Sequence, residues 1–206
     1  MNVGIINFNM GNISSVVNAI NFLGCSSKII NSIEDFDDVT HFILPGVGSF
    51  KDAMINLKSS SIEKILKKKI LIEKKKILGI CLGMQLLGSS STENGFTEGL
   101  SFIKNKIEKI SMENNKKLTL PHVGFNNINI VNKKANFFNN IDELSNFYFV
   151  HSYKMEIGDF QQDYAICEYG QKFLAAFKKN NIYGVQFHPE KSQSCGLELI
   201  YNFLKY

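Results

Sequence analysis

Two short stretches carry residue types that can break a bond. The first is Gly79-Ile80-Cys81-Leu82-Gly83. The apolar run Ile77-Leu78-Gly79-Ile80 suits a buried strand, and Met84, Leu86 and Leu87 recur as on a helix. Strand, sharp turn, then helix is the geometry of a nucleophile elbow, here with sulfur in place of a serine hydroxyl. The glycines let the backbone turn tightly and let neighbouring chain come close. The thiol would project from the strand's carboxyl end toward the free N–H groups and positive end of the new helix, which favours thiolate. The N–H of Leu82 is placed to receive a developing oxyanion. A bare G-x-C-x-G also fits a small core residue in a tight turn, so what decides is whether a base exists.

The second stretch supplies one. Of the four histidines, His41 lies inside an apolar run and reads as structural, whereas His188 stands in Gly184-Val185-Gln186-Phe187-His188-Pro189-Glu190. A strand ends there, and Pro189 keeps His188 extended. Residues two apart in extended chain point the same way, so Glu190 can take one imidazole proton and leave the other nitrogen for Cys81. Nucleophile, base and orienting carboxylate then follow in the chain order Cys81, His188, Glu190. Alone, His-Pro-Glu also fits a surface turn; elbow and turn together each supply what the other lacks.

The elements around these stretches alternate strand and helix in the first half of the chain. Val3 to Ile6, Lys28 to Ile30 and His41 to Leu44 read as strands, the last stopped by Pro45-Gly46. Ser14 is expected to cap a helix bearing Val16, Val17, Ile20 and Leu23 and closed by Gly24. Helical patterns fill Phe50 to Leu57 and Ile62 to Lys74. Such alternation predicts a parallel sheet with helices on both faces. The second half reads as strands over Leu118 to Val131, Phe147 to Tyr153, Ala165 to Tyr169, Phe173 to Phe177 and Ile182 to Phe187, with a closing helix through Leu197, Ile200 and Leu204. The expectation is one mixed sheet with an antiparallel extension, in a single domain over residues 1–206.

Composition narrows the function. The 206 residues are 44% hydrophobic and 20% charged, as in an ordinary globular protein. The start Met1-Asn2-Val3-Gly4-Ile5 lacks the pattern of a signal peptide, so a cytoplasmic location is expected. The net charge is +4, yet there is no arginine, the preferred fork for phosphates and bases. Lys67-Lys68-Lys69 and Lys74-Lys75-Lys76 read as the solvated side of a helix rather than a nucleic-acid surface. None of Cys25, Cys81, Cys167 and Cys195 forms a C-x-x-C pair, so no metal site is expected; the three others read as small core residues.

The chain resembles the class I glutamine amidotransferases, which carry a Cys–His–Glu triad. The matching motifs are Gly79-Ile80-Cys81-Leu82-Gly83-Met84-Gln85 and Gln186-Phe187-His188-Pro189-Glu190-Lys191-Ser192. Within the family it is similar to the glutaminase subunits of imidazole glycerol phosphate synthases. That likeness rests on Met10-Gly11-Asn12, Pro45-Gly46-Val47-Gly48-Ser49-Phe50, Pro121-His122-Val123-Gly124-Phe125-Asn126 and Tyr148-Phe149-Val150-His151-Ser152-Tyr153. The resemblance implies an α/β, three-layer, flavodoxin-like sandwich. It implies that Cys81 attacks the side-chain amide of glutamine, with His188 as base and acid and Glu190 orienting it. It places the oxyanion hole at Leu82 and at Gly46, Val47 and Gly48, and gives Gln85 to substrate binding. No cofactor is implied. The ammonia would pass to a barrel-shaped cyclase subunit in a heterodimer, across an interface including Asn12, Phe125, Tyr148 and Lys191. This agrees with the lack of a Gly-rich phosphate loop in the chain. The resemblance further implies low glutaminase activity for the isolated chain, with the oxyanion hole not yet assembled. His122 and His151 are read as packed or hydrogen-bonded, without a catalytic role.

Three segments depart from the family pattern. The early loop, usually Asp-Tyr-Gly, is Asn7-Phe8-Asn9; Val123 and Phe125 replace Met and Trp; and Ser91-Thr92-Glu93-Asn94-Gly95 is one residue longer than usual. All bear on the synthase side, none on the triad. They keep open a divergent second copy serving a sugar amidotransferase in surface-glycan synthesis. A non-catalytic scaffold and a cysteine peptidase on the same fold are the readings from other classes.

Overall fold

The computed structural model describes residues 2–111, 118–132 and 136–206. The elements run β1 (Asn2–Ile6), α1 (Ile13–Phe22), β2 (Ser26–Ile30), β3 (His41–Gly46), α2 (Phe50–Ser59), α3 (Ile62–Lys67), β4 (Lys76–Cys81) and α4 (Leu82–Leu86). Then follow β5 (Ser90–Ser91), β6 (Thr97–Glu98), β7 (Ile107–Lys109), β8 (His122–Asn127), β9 (Asn129–Asn132), β10 (Asn146–His151) and β11 (Tyr153–Met155). The chain closes with β12 (Asp163–Tyr169), β13 (Gln171–Lys179), β14 (Ile182–Val185) and α5 (Gln193–Lys205).

The main sheet has eight strands in the order β2-β1-β3-β4-β14-β13-β12-β9. The first five are parallel and the last three antiparallel, the expected mixed α/β architecture. Every residue of β3 is buried, as a central parallel strand between two helical layers must be. Its side chains alternate between two cores. Phe42 and Leu44 join Phe50, Met54, Leu57 and Leu66 from α2 and α3. Ile43 joins Val16, Ile20, Leu199 and Phe203 from α1 and α5. Each such apolar side chain contributes about 1.5–3 kcal/mol on burial. No helix among the described residues is long and apolar enough to cross a membrane.

Four details differ from the sequence reading. Ser14 does not cap α1; it lies inside the helix, whose N-cap is Asn12, with no side-chain capping bond. The second half does not form one sheet. Leu118 to Val131 breaks at Ile128, which turns into the core: β8 leaves to pair with β10, while β9 joins β12. Phe147 to Tyr153 likewise breaks at Ser152, so that Tyr153 pairs with Lys109 in a four-stranded sheet, β11-β7-β5-β6. The lysine run is not one helical face, since the helical turns end at Ile72 and Lys76 opens β4. Of the cysteines read as core, Cys167 is buried, but Cys25 and Cys195 are only half-buried.

Candidate active site

The elbow forms because β3 and the first turn of α4 press together. A Cβ on Gly83 would lie 1.7 Å from Leu44 O, and one on Gly79 would lie 2.7 Å from Gly83 O and Met84 N. Only glycine permits this approach. Cys81 absorbs the turn at φ 54, ψ −111, a region that costs a side-chain-bearing residue about 1–3 kcal/mol. Helix α4 is only five residues long, so its dipole is weak.

His188 comes from the far end of β14, the strand beside β4. Its N–H donates to Tyr148 O at 2.8 Å, which fixes the backbone. Its Nδ1–H donates to Glu190 Oε1 at 2.8 Å, with both side chains buried. The reason for that bond differs from the one expected. Pro189–Lys191 is a turn of 3-10 helix, not extended chain, and the turn folds the carboxylate back onto the ring. Among the described residues His188 Nε2 has no hydrogen-bond partner, but Cys81 is close enough to act on the ring. Burial alone would lower the imidazole pKa. The Cys81 sulfur and the Glu190 carboxylate, through hydrogen bonding and charge, outweigh it and push it up to about 10. The ring therefore holds a proton well at neutral pH. Thiol and imidazole, 107 positions apart in the chain, share one site.

Cys81 opens into a cavity of about 290 Å³ that is also lined by Val47, Gly48, Leu82, Gln85, Glu93, His151 and Tyr153. That volume suits a free amino acid better than a drug-sized ligand. A larger depression, about 520 Å³, lies by Asn126, Glu143 and Lys172 and holds none of these groups. Gly46 packs on α4, where a Cβ would come 3.0 Å from Leu82 Cβ. The Val47 N–H donates to Met10 O at 3.3 Å. Gln85 is buried, and its Nε2 donates to Tyr153 O at 2.8 Å and to Gln186 Oε1 at 3.0 Å.

Of the residues expected at an interface, Phe125, Tyr148 and Lys191 come together. Phe125 is 49% exposed, its ring lies 5.4 Å from that of Tyr148, and Lys191 Nζ stands 5.8 Å from the Tyr148 centroid. Val123, also exposed, extends the patch. Asn12 stands apart from this trio in sequence, at the start of α1, which packs on the Pro189–Lys191 turn. His122 and His151 are buried and bonded Nδ1 to Nε2 at 3.0 Å; burial holds their pKa values down to about 4 and about 3.

Sequence reasoning assigned no role to three residues here. Glu93 puts a carboxylate on the cavity wall, where it suits an ammonium group and accepts the Phe50 N–H at 2.8 Å. Its signal was the acidic position in the lengthened Ser91-to-Gly95 segment. Ser192 is fully buried and donates to His188 O at 2.6 Å while accepting the Tyr148 N–H at 2.9 Å. Gln186 touches the sulfur, with Nε2 at 3.7 Å from Cys81 Sγ. Both stood in the second motif only as letters.

Comparison with known proteins agrees with this geometry. The chain matches the family Glutamine amidotransferase class-I over residues 4–205. It is 45% identical over 205 residues to the imidazole glycerol phosphate synthase subunit HisH 2 of Methanococcus maripaludis, covering 98% of each chain. It is 41% identical over 203 residues to subunit HisH 1 of Campylobacter jejuni (strain RM1221), covering 98% of this chain and 99% of that one. Among solved structures, it superposes with a TM-score of 0.76 on a chain in the structure of PurLQS from Thermotoga maritima. The identity there is 17%, with 100% of this chain and 98% of that one covered, a likeness of fold. On these grounds the chain belongs to the class-I glutamine amidotransferases.

Proposed function

We propose that this chain is the glutaminase subunit of an imidazole glycerol phosphate synthase, acting in the cytoplasm as a single amidotransferase domain over residues 1–206. The Cys81 thiolate adds to the side-chain amide carbon of glutamine. The oxyanion is received by the Leu82 N–H and by backbone at Gly46, Val47 and Gly48. His188, protonated, gives its proton to the departing ammonia as the tetrahedral adduct collapses to a glutamyl thioester. Water, deprotonated by His188, adds to the thioester, and collapse of that adduct releases glutamate and restores the Cys81 thiolate beside protonated His188. Two acyl-transfer steps replace one difficult amide hydrolysis. Gln85 and Glu93 hold the amino-acid end of the substrate. Ammonia passes to a barrel-shaped cyclase subunit seated on Phe125, Tyr148 and Lys191, with Asn12 at the rim of the contact.

The observation that carries this reading is the buried His188–Glu190 pair at 2.8 Å, set against a sulfur that opens into an amino-acid-sized cavity. The full-length similarity to HisH subunits supports the choice of pathway. The Val47 N–H, engaged by Met10 O, is not offered to the cavity, which supports low turnover until the partner and its acceptor turn that peptide. The test measures glutamate release by the chain alone, and with the cyclase subunit and its acceptor present. Release should rise in the complex and vanish in Cys81→Ser. No glutamate from the complex, or no effect of Cys81→Ser, would overturn the enzyme reading and revive a scaffold. Growth without histidine after deletion of the gene would overturn the pathway in favour of a glycan acceptor.

A further inference from the structure

Gln186 is fully buried in the wall behind the nucleophile. Its backbone N–H is pinned to Ala175 O at 2.8 Å. Burying a carboxamide costs about 1–3 kcal/mol unless it is bonded, so what it bonds to matters.

The orientation of that carboxamide follows from its neighbours. Tyr153 O can only accept, so the Gln85 group 2.8 Å from it is the NH2. The same NH2 reaches Gln186 at 3.0 Å, so the Gln186 atom there is the oxygen. The Gln186 NH2 is left facing Cys81 Sγ, at 3.7 Å. The direction of the chain is set by a main-chain carbonyl and does not depend on a choice of amide flip. On another side, the sulfur lies 3.8 Å from Val150 O. A carbonyl can stabilise only the protonated thiol, by accepting S–H, whereas an amide N–H beside sulfur stabilises the thiolate. The two neighbours pull in opposite directions.

We infer that Gln186 is a further catalytic residue, whose side-chain N–H holds the Cys81 thiolate between the His188 imidazolium and the substrate. The inference rests on the glutaminase reading and deepens it. It also explains why a polar side chain stands where an apolar one would pack at lower cost. Val150 O favours the protonated thiol, and Gln186 offsets that preference in the thiolate that attacks the amide. No bond is made or broken by the amide itself.

The experiment follows alkylation of Cys81 by iodoacetamide against pH, resolved by mass on the Cys81 peptide, together with kcat and KM for glutamine in the cyclase complex. Gln186→Met keeps the length and removes the donor; Gln186→Glu keeps the acceptor for Gln85 and sets a negative charge beside the sulfur. The midpoint of alkylation should rise from wild type to Gln186→Met by about one pH unit, and further in Gln186→Glu. The kcat should fall about tenfold in Gln186→Met, with KM changed less than twofold. If either variant does not fold, as read by its melting transition, the other against wild type still decides. Coincident midpoints and an unchanged kcat would overturn the inference. Wild-type glutamate release in the same assay reads the underlying function separately.

Discussion

Replacing Glu190 by glutamine isolates the weakest link in the proposed triad. The carboxylate accepts the Nδ1–H of His188 at 2.8 Å, and both side chains are almost wholly shielded from water, 2% and 1% exposed. Among the described residues Glu190 Oε2 has no hydrogen-bond partner, so the carboxylate directs its bonding to the ring. A hydrogen bond to a charged group is worth about 1.5–3 kcal/mol. At 1.36 kcal/mol per decade, losing it from the state in which His188 is charged slows the reaction about 10- to 150-fold. A second effect has the same sign. Glutamine can turn its NH2 toward Nδ1, which moves the ring proton to Nε2, the nitrogen that must accept from sulfur. The loss in kcat is therefore expected near the upper end, about 100-fold, with KM little changed. The raised imidazole pKa of about 10 depends partly on Glu190, against the burial that lowers it, so the variant's imidazole titrates lower and the Cys81 alkylation midpoint moves up. The assay is glutamate release in the cyclase complex, paired with pH-resolved alkylation. A kcat within threefold of wild type, with the alkylation midpoint unmoved, would refute the assignment of Glu190 as the group that sustains His188.

Three further outcomes follow from the same geometry. Gly83→Ala would set a methyl 1.7 Å from Leu44 O, so at least about 3 kcal/mol of stability should be lost, read by thermal unfolding; an unchanged melting temperature would contradict the close packing at the elbow. Burial holds His41 and His122 down to about 4 and His151 to about 3, against about 6.5 in an unfolded chain. The unfolded chain therefore binds protons first as pH falls below 6.5, and each ring should remove about 2 kcal/mol between pH 7.5 and 5. His188, with its raised value, works in the opposite sense, since its contribution is full below 6.5 and lost as pH rises through about 10. Urea unfolding at the two pH values should show the net loss, His41→Phe should reduce it by one ring's share, and equal midpoints would refute it. Lys191→Ala removes an exposed cation from the proposed partner face, and an exposed charged contact across that face is worth about 0.2–1 kcal/mol, so the Kd for the cyclase subunit should rise up to about fivefold by calorimetry; an unaltered Kd would remove Lys191 from the interface.

Much of the layout was legible because it rests on local rules. Strand, glycine, cysteine, glycine and helix occur together at Cys81 because only glycine tolerates 1.7 and 2.7 Å approaches, so the sequence displays the constraint directly. The buried parallel strands were legible as unbroken apolar runs. The pairing of Glu190 with His188 was anticipated for the wrong reason: extended chain and a 3-10 turn both bring residues two apart together, and the sequence does not distinguish them. The breaks at Ile128 and Ser152 were not legible, because a strand's alternation records which side is buried but not which partner it finds. Strands β5, β6 and β7, of two or three residues, are too short to show a period. The contact of Gln186 with Cys81 spans 105 positions and depends on a few tenths of an ångström, so no motif could announce it.

Backbone hydrogen bonds connect the proposed partner face to the proposed base. Tyr148, beside Phe125 and under Lys191, belongs to β10, and its carbonyl accepts the His188 N–H at 2.8 Å. The Tyr148 N–H in turn donates to Ser192 Oγ at 2.9 Å, and that hydroxyl donates to His188 O at 2.6 Å. One residue of the outer face therefore grips both backbone ends of the residue that must move the proton, directly on one side and through a buried hydroxyl on the other. Packing of this kind is stiff, because a buried N–H or carbonyl left without its partner costs about 1–3 kcal/mol, so β10 cannot shift alone. A partner that presses on Phe125, Tyr148 and Lys191 acts on His188 through three short hydrogen bonds. The segment proposed to receive the oxyanion is held separately, by the bond of the Val47 N–H to Met10 O. Ser192→Ala would cut one of the two links, and Met10→Ala would remove the side chain that packs on Gly48 on the other side, so coupling between partner binding and glutamine turnover should weaken in the first while the resting rate changes in the second. Partner-stimulated rates in the two variants that remain proportional to wild type would show that the two sides are not separate.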